Sequence, residues 1–311
     1  MQNRQISLPN IALMLFLITF WGSSFVVVKA ILGEGFTPIA IATFRFLLAG
    51  CLFLIVLFLN KIRNRNYGIR VETKDVPTAI ILAFSGVTIF FITQYTGIQM
   101  ANASVASILV CLLSPVLISL FSIYIFKEGL CKAQLLGIGM ASLGTLAVIL
   151  GGAPNLEGNS TFLFGSLILL STPLLWTAYT LLGKNLMQKY DPFLVVAYVN
   201  ILGGLFLIPF SLTEGSFQSF LALNGQEWLA IFYLAVTCSL LGYFVWFYLM
   251  KQSTAAATSS FLFAEPIVTV IFAALLIGEE VTPFVVGGGL LIFIGVFLIT
   301  IRRRTRFSRS I

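Results

Sequence analysis

The sequence contains no histidine. Histidine is the side chain that titrates near neutrality and the commonest metal ligand, so imidazole proton relays and histidine-based metal centres are excluded. A Ser–His hydrolase is excluded with them. Charge is nearly as scarce. Asp, Glu, Lys and Arg make up 9% of the 311 residues, where globular proteins carry about 25%. The two aspartates, Asp75 and Asp191, both fall in connecting segments, which removes an intramembrane aspartyl dyad. The four cysteines, Cys51, Cys111, Cys131 and Cys238, are scattered without a C-x-x-C pair. They read as free thiols, and no metal site follows from them. No G-x-x-x-x-G-K-[ST] loop occurs, so nucleotide hydrolysis is not expected. The chain is not expected to be an enzyme or to need a cofactor.

What the sequence has instead is hydrocarbon, with 59% hydrophobic residues. About 20 residues at about 1.5 Å each cross a hydrocarbon core about 30 Å thick, so long apolar runs read as membrane-spanning helices. Ten runs can be marked, at 10–31, 38–60, 77–98, 102–126, 131–151, 161–184, 192–212, 227–250, 254–277 and 283–301. The first is too long for a cleaved leader and lacks an A-x-A site. The expected fold class is an all-α integral membrane protein with ten transmembrane helices and no soluble domain.

With the N-terminus on the inside, every basic residue except Lys29 and Arg45 falls in an inside segment or tail. Outside loops carry Glu34, Glu157, Glu214, Glu227, Glu279 and Glu280 instead. This is the positive-inside pattern. It places both termini in the cytoplasm and the protein in the cell's inner (cytoplasmic) membrane. The net charge of +7 is then topogenic. The "RRRTRFSR" tail touches anionic lipid rather than nucleic acid.

The chain also repeats itself. At a shift of 151, Ala106 meets Ala257, Pro115 meets Pro266, Glu128 meets Glu279, Gly137 meets Gly288 and Gly144 meets Gly295. Near the start the shift becomes 155, laying "WGSSFVVVK" over "WTAYTLLGK". The halves, 8–152 and 160–302, hold five helices each. An odd number turns the second half upside down, so the expected architecture is two inverted five-helix repeats. Such repeats characterise secondary transporters, whose site lies near mid-membrane between the halves.

Several stretches make the likeness specific: "FWGSSFVVVKA", "TPIAIATFRFLLAG", "QYTGIQMANASVASIL", "SPVLISLFSIYIFKEGL" and "FAEPIVTVIFAALLIGEEVT". In this order and spacing the sequence resembles the EamA family of the drug/metabolite transporter superfamily, over essentially the whole ten-helix region. The departures are mild: "KE" closes the fourth helix where "GE" is usual, and Thr177-Ala178 stands where the first helix has Gly22-Ser23. The resemblance implies cytoplasmic termini and export of small metabolites or drugs through a central cavity.

Polar groups inside a membrane are costly and normally face a partner or a water-filled space. Glu265, directly before Pro266, is the sharpest case: an acid at a helix break could receive a cationic group or a proton. Its counterpart Ser114-Pro115 marks a second break without charge. Amphipathic rings well inside their spans, Trp21, Tyr95, Trp176, Tyr179, Tyr243 and Trp246, are candidate cavity linings, with Ser24, Gln94 and Asn102. For Trp21, tight packing through Gly22-Ser23-Ser24 is the competing explanation. Arg45, about 10 Å along its helix from Pro38, is expected to be shallow and to bond loop carbonyls or an acid near the outer surface. Lys29 is expected to snorkel outward.

The expected function is a secondary transporter, exporting amino acids, related metabolites or drugs by alternating access. A facilitative channel or a non-transporting scaffold is the alternative. Expected partners are a small-molecule substrate and lipid, with the protein acting as a monomer or homodimer. Glycines 137, 144, 288 and 295 would serve helix contact within one chain or between two.

Overall fold

In a computed structural model the described residues are 8–65, 67–126, 132–151, 160–252 and 260–301. Arg4, Lys127, Glu128, Cys131, Glu157, residues 254–259 of the ninth run and the 302–311 tail lie outside the described residues.

Among the described residues every regular element is helical. The spans are Leu8–Gly33, Pro38–Arg63, Thr73–Met100, Ala103–Phe126, Lys132–Gly151, Ser160–Lys189, Pro192–Glu214, Gly225–Lys251, Glu265–Ile277 and Pro283–Ile301. They fall on the ten apolar runs. Six are long and apolar enough to cross a membrane, and the other four contribute shorter apolar helices of 10–17 residues. Large apolar side chains such as Phe58, Leu143, Leu275 and Phe297 point outward. Thr43, Arg45, Ser107, Asn200, Ser239 and Glu265 are buried. This inside-out distribution is what a hydrocarbon solvent selects.

Repeat-related helices start in the same way. The second span begins with Pro38 after the cap Thr37, whose Oγ1 accepts from Ala40 N at 3.1 Å. The seventh begins with Pro192 after Asp191, whose Oδ1 accepts from Phe193 N at 2.9 Å and Leu194 N at 3.3 Å. A side-chain oxygen satisfies orphan N–H groups, and proline costs nothing where no N–H is needed. The eighth span opens on a capping box, with Asn224 and Glu227 satisfying each other's backbone N–H groups.

The repeats pack reciprocally. A Cβ added to Gly144 would lie 2.5 Å from the Gly288 carbonyl, and one added to Gly295 would lie 2.5 Å from the Gly137 carbonyl. The shift of 151 exchanges these two contacts. They also run in opposite senses along the fifth and tenth spans, so the related helices are antiparallel. The second and seventh spans do the same: Gly50 faces Ile201 and Gly204 faces Phe46. The fold is therefore two inverted five-helix repeats, with these glycines used inside one chain.

The third and eighth spans each contain a π-helical stretch, Phe84–Ile89 and Leu234–Leu241, at corresponding places in the two repeats. A π turn widens the helix and loosens its carbonyls, and such turns collect at functional sites. The two proline positions differ. The helix Ala103–Phe126 runs on through Pro115, whereas Glu265–Ile277 begins at the residue before Pro266 and follows a 3₁₀ stretch, Ser260–Ala264. The expected break at Pro115 is thus not an interruption of the helix. Proline removes one N–H, and the flanking turns close around it.

Candidate functional site

The first, second, third and fourth spans of the first repeat and the sixth, eighth and ninth of the second surround one cavity of about 50 Å³. A buried water occupies roughly 10–15 Å³ on this measure, so the space suits a few water-sized groups.

Trp21 is set by three local features. Gly22 behind it brings the first span against the ninth: a Cβ there would sit 2.9 Å from the Glu265 carbonyl, and Thr269 Oγ1 donates to the Gly22 carbonyl at 2.8 Å. The indole Nε1 donates to the Cys238 carbonyl at 3.0 Å, a group within the π-helical stretch of the eighth span. Gly242 leaves room for the ring, since a Cβ would lie 2.5 Å from Nε1. Close packing and cavity lining, set against each other on the sequence, are both served by this stretch. Ser24, one turn on, also faces the cavity while its Oγ donates to the Trp21 carbonyl at 2.6 Å.

Trp21 meets Trp176 edge-on at 5.5 Å between centroids, Tyr243 at 5.8 Å and Trp246 at 5.7 Å. Trp176 also contacts Phe90 at 5.6 Å and Tyr179 at 5.5 Å. Such ring pairs are worth about 0.5–1.5 kcal/mol beyond burial. Trp176 Nε1, Tyr179 OH and Trp246 Nε1 are buried without a hydrogen-bond partner among the described residues.

Trp21, Ser24, Gln94, Trp176, Tyr243 and Glu265 meet at the cavity wall, joined by Ser114, the repeat counterpart of Glu265. Four other candidates stand elsewhere. Tyr95 lies behind the wall, accepting from Arg45. Tyr179 packs into the third span's π stretch, where a Cβ on Gly86 would overlap its ring. Trp246 backs the aromatic cluster. Asn102 is a helix cap, its Oδ1 accepting from Val105 N at 2.8 Å at the start of the fourth span.

Arg45 departs from expectation. It is 2% exposed and lines the cavity. Among the described residues no loop carbonyl or acid holds it. Nε donates to Ser239 Oγ at 2.8 Å and Nη1 to Tyr95 OH at 2.5 Å, while the guanidinium lies 4.6 Å from the Phe91 ring centroid and 5.0 Å from that of Phe46. Distance from the helix start did not measure burial, because the third and eighth spans pack over this turn of the second and bring Tyr95 and Ser239 to the guanidinium. Lys29 Nζ donates to the carbonyls of Ile98 and Ala101, each at 2.9 Å, closing the end of the third span. Next to it Glu279 accepts from Ala103 N and Ser104 N at 2.9 Å each, capping the fourth. Phe25, Phe90, Phe91, Val110, Cys111 and Leu262 complete the wall. Apolar residues in apolar spans carry no sequence signal for this position.

Among the described residues no cluster of His, Cys, Asp and Glu could hold a metal ion.

Comparison with known proteins agrees with this architecture. An uncharacterized transporter of Archaeoglobus fulgidus is 29% identical over 288 residues, covering 91% of this chain and 94% of its own. A Salmonella typhimurium protein named "Probable amino-acid metabolite efflux pump" is 27% identical over 310 residues, covering 95% and 97%. A solved crystal structure shares the fold at a TM-score of 0.64 with 18% identity, covering 97% of this chain and 99% of its own. The model of the EamA-like transporter family matches residues 8–150 and 163–301, one match per repeat, and the chain belongs to that family.

Proposed function

We propose that the protein is a secondary transporter that exports small organic solutes, amino acids or related metabolites among them, across the cell's inner membrane by alternating access. Both termini would face the cytoplasm, as the distribution of basic residues supports. The halves 8–152 and 160–302 would rock about the cavity, with the ninth span moving at Pro266. The observation that carries this reading is the cavity itself: both inverted repeats line it, and it holds aromatic rings, serine hydroxyls, an amide, a guanidinium and a carboxyl in a largely apolar interior. Polar groups are retained at such depth where they serve a pathway. The name of the Salmonella relative supports amino-acid metabolites as cargo.

Glu265 is 3% exposed, at the first turn of its helix, on the cavity wall. In this reading it takes up the solute's cationic group or a proton. Counterflow in proteoliposomes tests the carrier: preloaded unlabelled solute accelerates entry of labelled solute through a carrier, and does not through a scaffold or a channel. Glu265→Gln is expected to reduce exchange at least about tenfold and to flatten its pH dependence. Unchanged exchange and an unchanged pH profile would remove the role assigned to Glu265.

A further inference from the structure

Among the described residues Arg45 is a buried cation without an ion-pair partner, and two of its five N–H donors are placed there, on Ser239 Oγ and Tyr95 OH. The ion pairs among the described residues are Lys74–Glu72 and Lys189–Asp75, both far from the cavity in sequence and at helix ends. Guanidinium does not shed its proton in proteins, so it cannot relieve burial by becoming neutral. Burying an unpaired charge is expensive. Two neutral hydroxyls and two ring faces offset part of that cost. They also fix the planar group in one orientation, with Nε and Nη1 tethered to the eighth and third spans.

Glu265 lines the same cavity from the other repeat. Neither charge is duplicated by the repeat. Ser114 stands at the position corresponding to Glu265, and aligning Thr37-Pro38 with Asp191-Pro192 sets Val199 against Arg45. The cavity therefore has a cationic pole from the first repeat, a carboxyl pole from the second and an aromatic wall of Trp21, Trp176, Phe90 and Tyr243.

We propose that Arg45 is a substrate-binding residue, receiving the carboxylate of a small aliphatic α-amino acid whose ammonium group is received by Glu265. This rests on the carrier reading for the cavity's purpose and deepens it by naming the solute class. A carboxylate matches the free N–H edge of a guanidinium, and such charge-assisted bonds are about twice as strong as neutral ones. A zwitterion is neutral overall, so it satisfies both poles without adding net charge to the interior. The cavity as it stands takes only a few water-sized groups, so alanine, smaller than valine or leucine, asks for the least widening of the wall.

The test uses the full-length protein in detergent and in proteoliposomes. Binding is read from indole fluorescence, since Trp21, Trp176 and Trp246 form one cluster at the cavity. The probes are L-alanine, L-valine and L-leucine, with isobutylamine and 3-methylbutanoate as valine lacking its carboxylate or its amine. The expected result on the wild-type protein is binding of at least one amino acid, with each one-charge analogue at least about thirtyfold weaker. Arg45→Gln should abolish amino-acid binding, and Arg45→Lys should restore part of it at an unchanged thermal midpoint. Equal binding of isobutylamine and valine overturns the proposal, as does failure of all three amino acids to bind. The analogue comparison needs no variant, so a poorly folded Arg45→Gln does not decide the matter. Arg45-dependent binding without counterflow would leave the site standing and remove the carrier. Counterflow of a solute indifferent to Arg45 would do the reverse.

Discussion

At the residue scale, the hydrogen bond of Trp21 and the unpaired hydroxyl of Tyr179 make opposite predictions. Trp21→Phe removes the donor to the Cys238 carbonyl, a loss of about 0.5–1.5 kcal/mol. Tyr179→Phe removes a buried hydroxyl with no partner among the described residues and should be neutral or stabilising. Thermal unfolding of the two purified variants in one detergent checks the pair. A larger loss for Tyr179→Phe would mean that its hydroxyl is bonded in the molecule studied. Much of the cavity was legible at this scale. An indole beside a Gly-Ser-Ser step and an acid beside a proline are anomalies in a hydrocarbon helix, and Trp21 and Glu265 meet at one wall. Arg45 was visible as an anomaly too, but its burial was not. That burial depends on Tyr95 and Ser239, 50 and 194 positions away in the chain, and no local spacing reveals such partners. Asn102 misled for a related reason: a polar residue between two apolar runs caps a helix as readily as it faces a cavity.

At the element scale, the fifth and tenth spans touch through glycine. Gly144→Ala places a methyl 2.5 Å from the Gly288 backbone carbonyl, where no side chain can yield. Overpacking of this kind costs about 1–3 kcal/mol. Gly139 lies on the same helix with nothing within 4 Å of an added Cβ. Gly139→Ala should therefore stabilise by up to about 1 kcal/mol through helix propensity. Midpoints that move in opposite directions would bear out the contact; equal shifts would contradict it. The span positions were readable because hydrophobic length is a direct consequence of bilayer thickness. The π stretches Phe84–Ile89 and Leu234–Leu241 were not, since a π turn has no composition of its own. Gly86 and Gly242, which admit the Tyr179 and Trp21 rings at or beside those turns, are the nearest thing to a signal.

At the scale of the whole molecule, the repeats meet again at the end that holds Lys61 and Lys189. Asp75, at the start of the third span, accepts from Lys189 Nζ at 2.9 Å and Tyr190 OH at 2.8 Å, and Tyr190 OH in turn accepts from Glu72 N at 3.1 Å. This cluster joins the first repeat to the second across the entrance to the third and sixth spans. Asp75 is buried and Lys189 about half-exposed; an ion pair open to water through its lysine is worth about 1 kcal/mol, so it can release on a small change of state. Asp75→Asn should raise labelling of a cysteine placed at Ser114 by a reagent added from that side, with little change in thermal midpoint. Unaltered labelling would show that the cluster does not hold this end closed.

The glycine faces of the fifth and tenth spans have a further consequence. Small residues on a membrane helix usually advertise a surface waiting for a neighbour, and here the neighbour has already arrived from within the same polypeptide. A second copy of the protein that docked in the bilayer would find those faces taken and would have to grip the leucine- and phenylalanine-covered flanks, the surface that lipid tails contest most effectively.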